Sequence, residues 1–123
     1  MKAATGRTLL DAIARRDYDL IRRCFAEQVR FDVLTPHELR EHRTAVDAAD
    51  RYRFWLDRLD GYELLEGDVE EIADRVRIRY RFRGRDPEKG WQLNEHTGYG
   101  TVADGHFVAL KVTCTGFRPT QAP

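Results

Sequence analysis

Apolar residues recur at two different spacings along this chain, and the change of spacing marks the elements. Between residues 8 and 16, Leu9, Leu10, Ala12 and Ile13 form a stripe opposed by Arg7, Asp11, Arg15 and Arg16, which predicts an amphipathic helix. Asp17 stands as N-cap of a second, short helix in which Leu20, Ile21, Cys24 and Phe25 recur at helical spacing. The period then falls to two. Val29, Phe31 and Val33 alternate with Arg30 and Asp32, predicting a strand with its apolar side inward and Asp32 outward. Thr35-Pro36-His37-Glu38 has the form of a capping box with Pro at the first helical position, so a helix is expected to start there. The pattern leaves open whether it breaks near Arg43-Thr44 or runs on. Ala45, Ala48, Ala49, Tyr52, Trp55, Leu56 and Leu59 define one apolar face, and Gly61 is expected to stop the helix.

Two hairpins follow. With Ala73-Asp74 as turn residues, Glu70 opposes Arg77, Asp68 opposes Arg79 and Glu66 opposes Arg81, while Val69, Gly67 and Leu65 oppose Ile78, Tyr80 and Phe82. Slipping this register by one residue would bury arginines, which desolvation forbids. From Trp91 to Phe117 the chain reads as two long strands closed by Asp104-Gly105, a dipeptide that supplies positive φ at both central turn positions. Regular pairing outward from that turn places Val102 against Phe107, Gly100 against Ala109, Gly98 against Lys111, His96 against Thr113 and Asn94 against Thr115. One face thus collects His96, Asn94, Lys111, Thr113 and Thr115, and the other, mostly apolar, collects Tyr99, Leu110, Val112 and Cys114. A pocket is expected on the first face and packing or self-association on the second. Gly98 and Gly100 lie inside a strand, where glycine marks a bulge or bend.

Composition narrows the classes. A chain of 123 residues with 41% hydrophobic positions makes one domain, 1–123, with an ordered core over about 6–118 and a frayed tail at 119–123. No apolar run approaches a membrane span and the N-terminus lacks the form of a signal peptide, so a cytoplasmic location is expected. The 21 basic and 21 acidic residues cancel, which argues against nucleic acid and anionic membranes as partners. Arg75, Arg77, Arg79, Arg81 and Arg83 resemble a phosphate track, but three of the five have an acid directly opposite, so the ladder reads as a solvated outer surface. Cys24 and Cys114 show no metal or redox spacing, His37 and His42 do not share a helical face, and no metal is expected.

The order helix, short helix, strand, helix and then four antiparallel strands is an α+β arrangement with helices on one face of a curved sheet. Here the chain resembles the nuclear transport factor 2-like superfamily, and within it the SnoaL-like polyketide cyclase and ketosteroid isomerase branch. The resemblance rests on ARRDYDLIRRCF followed by VRFDV, on GDVEEIADRVRIRYRFRG and on TVADGHFVALKV, and spans residues 8 to 117. It implies a cone-shaped, antiparallel or mixed sheet wrapping a pocket on its concave face under the N-terminal helices, and dimerisation through the outer sheet face. It also implies that Phe107, Ala109, Lys111, Thr113 and Thr115 turn toward the pocket with Val76, Ile78, Tyr80 and Phe82, alongside Tyr52 and Trp55. The carboxylate that cyclases of this kind carry late in the last strand is replaced by the stretch Thr113 to Thr115, and Val33 falls where isomerases carry their base.

What remains as candidate chemistry is His96 and Lys111. His96 is a general acid or base oriented by Thr113, or a histidine satisfied by local hydrogen bonds. Lys111, one of three lysines against 18 arginines, is an amine base, nucleophile or anion anchor whose pKa an apolar cone would pull down, or a lysine snorkelling to solvent. Asn94, Thr113, Thr115, Tyr80, Tyr52, Trp55, Phe82 and Phe107 are expected to hold the substrate. Two functions follow: a cofactor-independent cyclase, isomerase or dehydratase acting on a small apolar molecule, or a non-catalytic ligand-binding or dimeric interaction module. A cone plugged by Trp55, Tyr52, Tyr80 and Phe82 would favour the second.

Overall fold

The computed structural model describes residues 2–123. In chain order the elements are α1 (Lys2–Arg15), α2 (Tyr18–Arg23), β1 (Phe25–Leu34), β2 (Leu39–Thr44), α3 (Ala45–Leu56), β3 (Asp60–Ile72), β4 (Arg75–Asp86), β5 (Gly90–Ala103), β6 (His106–Cys114) and β7 (Arg118–Pro119). The strands form one mixed, curved sheet in the order β2-β1-β6-β5-β4-β3, with β7 added to β5 beyond the end of β6. Only β1 and β6 run parallel. The helices cover one face, where Leu9, Ala12, Ile13, Ile21, Ala48 and Leu56 pack against Phe31, Val33, Ile78, Phe107 and Leu110 in a single buried core.

Local chemistry sets the helix ends. α1 closes in a Schellman motif: Asp17 N–H donates to Ala12 O at 2.9 Å and Arg16 N–H to Ile13 O at 3.2 Å, with Arg16 left-handed at φ 54°. Arg16 then reaches across to donate to the carbonyls of Leu56 (3.1 Å) and Leu59 (2.7 Å), tying α1 to the end of α3. Asp17 caps α2, its carboxylate accepting from Leu20 N–H at 3.1 Å.

The segment after β1 departs from the expected helix. Thr35 Oγ1 does accept from Glu38 N–H (3.1 Å) and His37 N–H (3.3 Å), as a cap would, but Thr35 N–H also donates to Glu38 O (2.9 Å) and the chain reverses into β2. The same side-chain hydrogen bonds serve a tight turn as readily as a helix start. The helix is capped nine residues later, at Thr44, whose hydroxyl accepts from Asp47 N–H at 3.1 Å. It ends at Leu56, and Gly61 lies within β3 rather than at the helix end. The apolar face read from the sequence is the buried face of α3: Ala45, Ala48, Ala49, Tyr52, Trp55 and Leu56 all lie in the core.

The β3–β4 hairpin has the expected register, with Glu70, Asp68 and Glu66 opposite Arg77, Arg79 and Arg81. Their ion pairs close at 2.7, 3.0 and 2.9 Å, and the ladder continues to Glu63–Arg83 at 2.8 Å. One residue of β3 bulges between Leu64 and Glu66, so Phe82 faces Leu64 and not Leu65.

The β5–β6 hairpin turns as expected at Asp104 (φ 52°) and Gly105 (φ 76°), with Ala103 facing His106 and Val102 facing Phe107. Then the register breaks. Thr101 pairs with Ala109, so Val108 is an extra residue on β6, and from there on β6 points the opposite way. Leu110, Val112 and Cys114 enter the core; Lys111, Thr113 and Thr115 face outward and are exposed. The expected pairs Gly98–Lys111, His96–Thr113 and Asn94–Thr115 are therefore replaced by Gly98–Val112, His96–Cys114 and a strand end. The physical reason is which set the core must take: burying an ammonium and two hydroxyls without partners costs several kcal/mol, whereas each buried Leu or Val contributes about 1.5–3 kcal/mol. The break lies on β6, not at Gly98 or Gly100. Those glycines make room instead, since a Cβ on Gly100 would sit 2.7 Å from the Phe107 ring. The tail is also tied beyond its expected limit, with β7 on β5 and Thr120 N–H donating to Trp91 O at 3.0 Å.

Candidate functional site

Strand parity on β5 sends Gln92, Asn94 and His96 inward under the helices, where all three are buried. β4 presents Tyr80 opposite His96 and Phe82 opposite Asn94. α3 lowers Tyr52 and Trp55 onto them from the other side of the core. The result is a chain of hydrogen bonds through apolar surroundings: Tyr52 Oη to Tyr80 Oη at 2.8 Å, and Tyr80 Oη to His96 Nδ1 at 2.7 Å. The imidazole is boxed by aromatic rings, with Trp55 at 4.4 Å, Tyr80 at 5.0 Å and Phe82 at 5.5 Å between centroids.

Counting protons assigns the directions. If Tyr52 donates to Tyr80 and Tyr80 to Nδ1, one group alone in the chain is unmet, the Nε2–H of His96. The reverse order would strand both the Tyr52 hydroxyl proton and an Nε2 lone pair, one more buried unsatisfied group, at about 1–3 kcal/mol. His96 Nε2 is therefore an N–H donor. It is buried with no partner, and so is Asn94 Nδ2. The Asn94 carbonyl is occupied by the Cys114 thiol at 3.4 Å, and Cys114 Sγ in turn accepts from Gly116 N–H at 3.3 Å. Two N–H donors thus sit unpaired in the core, that of the His96 imidazole at 1% and that of the Asn94 amide at 0% exposure.

Burial sets the protonation states. Desolvation pushes the His96 pKa down to about 3, so the imidazole is neutral at any physiological pH. Desolvation likewise drives Tyr52 and Tyr80 well above the ordinary phenol range, and both hydroxyls stay protonated. The arrangement is a neutral donor array, suited to holding an acceptor such as a carbonyl oxygen and unsuited to carrying a proton away.

The sequence-predicted residues divide between the two faces of the sheet. His96, Asn94, Tyr80, Tyr52, Trp55, Phe82 and Phe107 are brought together inside. Lys111, Thr113 and Thr115 are not: Thr113 Oγ1 donates to Thr97 O at 3.2 Å, Thr115 Oγ1 accepts from Glu95 N–H at 3.1 Å, and Lys111 stands beside them on the outer face. The orienting partner expected of Thr113 is supplied by Tyr80. Gln92 and Cys114 were not foreseen; Gln92 shares the parity of Asn94 and His96 and was legible from alternation, whereas Cys114 needed the bulge. Among the described residues no group of three or more His, Cys, Asp or Glu side chains is placed to hold a metal ion.

Above the donors, the segment leaving β6 closes the core. Phe117 packs edge-on against Phe82 at 5.9 Å, and the Arg58 guanidinium lies over the Phe117 ring at 5.1 Å while pairing with Asp86 at 3.1 Å.

This arrangement of helices on one face of a mixed, curved sheet is shared with many solved structures. A proposed isomerase from Bacillus subtilis superposes with a TM-score of 0.75 at 13% identity, covering 93% of this chain and 86% of that one. The chain has the nuclear transport factor 2-like fold. Within that fold, a proposed polyketide cyclase from Xanthomonas campestris pv. campestris gives a TM-score of 0.73 at 18% identity over 91% of this chain and 89% of its own. An epoxide hydrolase of M. tuberculosis, described as LEH-like, gives 0.70 at 13% over 92% and 81%. No family model matches the sequence, and no curated protein matches it. The likeness is therefore one of nuclear transport factor 2-like architecture, and the chemistry has to be argued from this chain's own side chains.

Proposed function

We propose that the protein binds a small, mostly apolar molecule bearing one hydrogen-bond acceptor, in the interior between α3 and strands β4 and β5, and that this site recognises rather than transforms its ligand. The observation that carries this reading is the pair of buried, unpartnered donors, His96 Nε2–H and Asn94 Nδ2, inside walls made by Trp55, Tyr80 and Phe82. A carbonyl oxygen there would satisfy groups that otherwise cost about 1–3 kcal/mol each. The rings would supply the apolar contact that small-molecule sites in folded domains use. Solved proteins of this architecture, among them a proposed polyketide cyclase and an epoxide hydrolase described as LEH-like, support a small-molecule role for the fold.

The acid–base reading is less well supported. It needs a proton carrier, and His96 is neutral with its pKa near 3. It also needs a second group, and Lys111 lies across the sheet. In this reading Trp55, Tyr52, Tyr80 and Phe82, which pack against one another and His96, are the resting wall of the site, and a ligand has to repack them on entering.

Acetophenone and ethylbenzene, alike in shape and differing in the carbonyl, make the test. In a nitrogen-15 NMR titration, acetophenone should shift the His96 Nε2–H and Asn94 side-chain amide signals and bind about tenfold more tightly than ethylbenzene, as one net hydrogen bond predicts. Equal affinity, or no movement of those two signals, would remove the proposal.

A further inference from the structure

The outer face of the sheet divides at Thr97. On one side stand the ion-paired rows of β3 and β4. On the other is a groove of about 500 Å³ walled by Leu34, Leu39 and Tyr99, with Asp32, Lys111 and Thr113 along it. Pairing brings these together: Leu34 faces Leu39 across β1–β2 and Thr113 across β1–β6, and Lys111 faces Tyr99 on β5 and Asp32 on β1. Leu34, Leu39 and Tyr99 remain 52%, 57% and 48% exposed. A volume of this size is that of a small-molecule site, not of a surface wrinkle.

Charge decides what fits. Among the described residues, nearly every cation on the strands has a carboxylate within ion-pair reach: Arg40, Arg43, Arg75, Arg77, Arg79, Arg81, Arg83, Arg85 and Arg118. Lys111 and Arg30 have none. The nearest carboxylate in the ladder, that of Asp32, is committed to Arg43 at 2.8 Å, and Arg43 also holds Glu41 at 2.6 Å. We propose that this groove binds a small amphipathic carboxylate, its aliphatic or aryl tail against Leu34, Leu39 and Tyr99 and its carboxylate on Lys111 Nζ. The bulge at Val108 makes the site, because it brings Lys111 and Thr113 out to the surface and turns Leu110 into the core.

A second copy of the chain is a poorer occupant. With Leu110, Val112 and Cys114 turned inward, the large apolar side chains exposed around this groove are Leu34, Leu39 and Tyr99. A stable interface needs about 800 Å² per partner. Self-association over this patch would also enclose an ammonium with no carboxylate of its own, at a desolvation cost.

The test uses decanoate and decan-1-ol, each below its aggregation limit, titrated into the nitrogen-15-labelled protein and its Lys111→Gln variant. Decanoate should shift the backbone amides of Leu34, Leu39, Tyr99, Lys111 and Thr113. Lys111→Gln should weaken decanoate by about fivefold, the scale of an exposed ion pair, and leave decan-1-ol unchanged. Equal binding of the two compounds to the unsubstituted protein, or shifts confined to other regions, would overturn the proposal. So would a dimer in sedimentation equilibrium that Leu39→Glu dissociates, since the groove would then belong to a second copy. The His96 Nε2–H signal reports the interior separately. Decanoate should leave it in place, so failure on the outer face and failure of the interior reading are told apart.

Discussion

β5 and β6 are paired along most of their length, yet they teach opposite lessons. On β5 the inward residues Gln92, Asn94 and His96 lie where simple alternation puts them. On β6 alternation from the turn holds for Phe107 and then fails, because Val108 is extra. β6 offers the core two apolar sets of opposite parity, Phe107 with Ala109 and Leu110 with Val112 and Cys114. The bulge lets the protein use the first residue of one set and the whole of the other. A strand with one apolar parity has one register; a strand with two can change face for the cost of a single unpaired residue.

The sharpest way to break the comparison is to put a cation on the buried parity of β6. Val112→Lys buries an ammonium without a partner, and the penalty should approach the roughly 5–15 kcal/mol that a domain of this size has in hand. The variant should be unfolded at 25 °C by near-ultraviolet circular dichroism. Deleting Val108 should do far less, because Thr101 opposite Ala109 then follows directly on Val102 opposite Phe107 and Leu110, Val112 and Cys114 stay inward on a regular ladder. A folded Val112→Lys variant would show that this parity is not the one the core requires.

Acid comes next. The His96 pKa is lowered on folding, from 6.5 to about 3. Above pH 6.5 the imidazole is neutral in both states and contributes no pH dependence. Below it, the unfolded chain takes up a proton that the folded chain refuses. Stability should therefore fall by about 1.4 kcal/mol per pH unit from pH 6.5 toward pH 3 on account of this one group. Urea titrations at pH 7 and pH 5 should show a loss that His96→Phe lacks; equal losses in the two proteins would mean that His96 is not held neutral.

The hydrogen-bond chain gives a smaller, directional effect. Tyr80→Phe strands both the Tyr52 hydroxyl and His96 Nδ1 and should cost about 2–4 kcal/mol. Tyr52→Phe removes an end donor and should cost about 1 kcal/mol. Comparable losses in urea would contradict the proton order assigned to the chain. The outer ladder should matter least. Glu66→Gln opposite Arg81 should change stability by less than about 1 kcal/mol, and the change should shrink further in 0.5 M salt.

The charged hairpin was legible because a one-residue slip would bury arginines and the turn at Ala73-Asp74 chooses among the remaining registers, setting Glu70, Asp68 and Glu66 against Arg77, Arg79 and Arg81. The buried face of α3 was legible because Tyr52, Trp55 and Leu56 share one helical stripe. The start of that helix was not. Thr35 makes cap-like hydrogen bonds that a turn uses equally well, and what continues from it depends on whether Leu39–Thr44 finds an edge to pair with. Of the expected site residues, Asn94 and His96 on β5 face inward as alternation puts them, whereas Lys111, Thr113 and Thr115 on and beyond β6 face outward.

By itself, the sequence determined the periods: which residues belong to one helical stripe, which hairpin register pairs its charges, and that His96 and Asn94 share a strand face. These are local properties, set by side-chain spacing within a single element. Only the tertiary structure decided which face of β6 is buried, because that choice compares the burial of Leu110, Val112 and Cys114 with that of Lys111, Thr113 and Thr115. Such a comparison exists only once β1 and β5 flank the strand and the helices close over it.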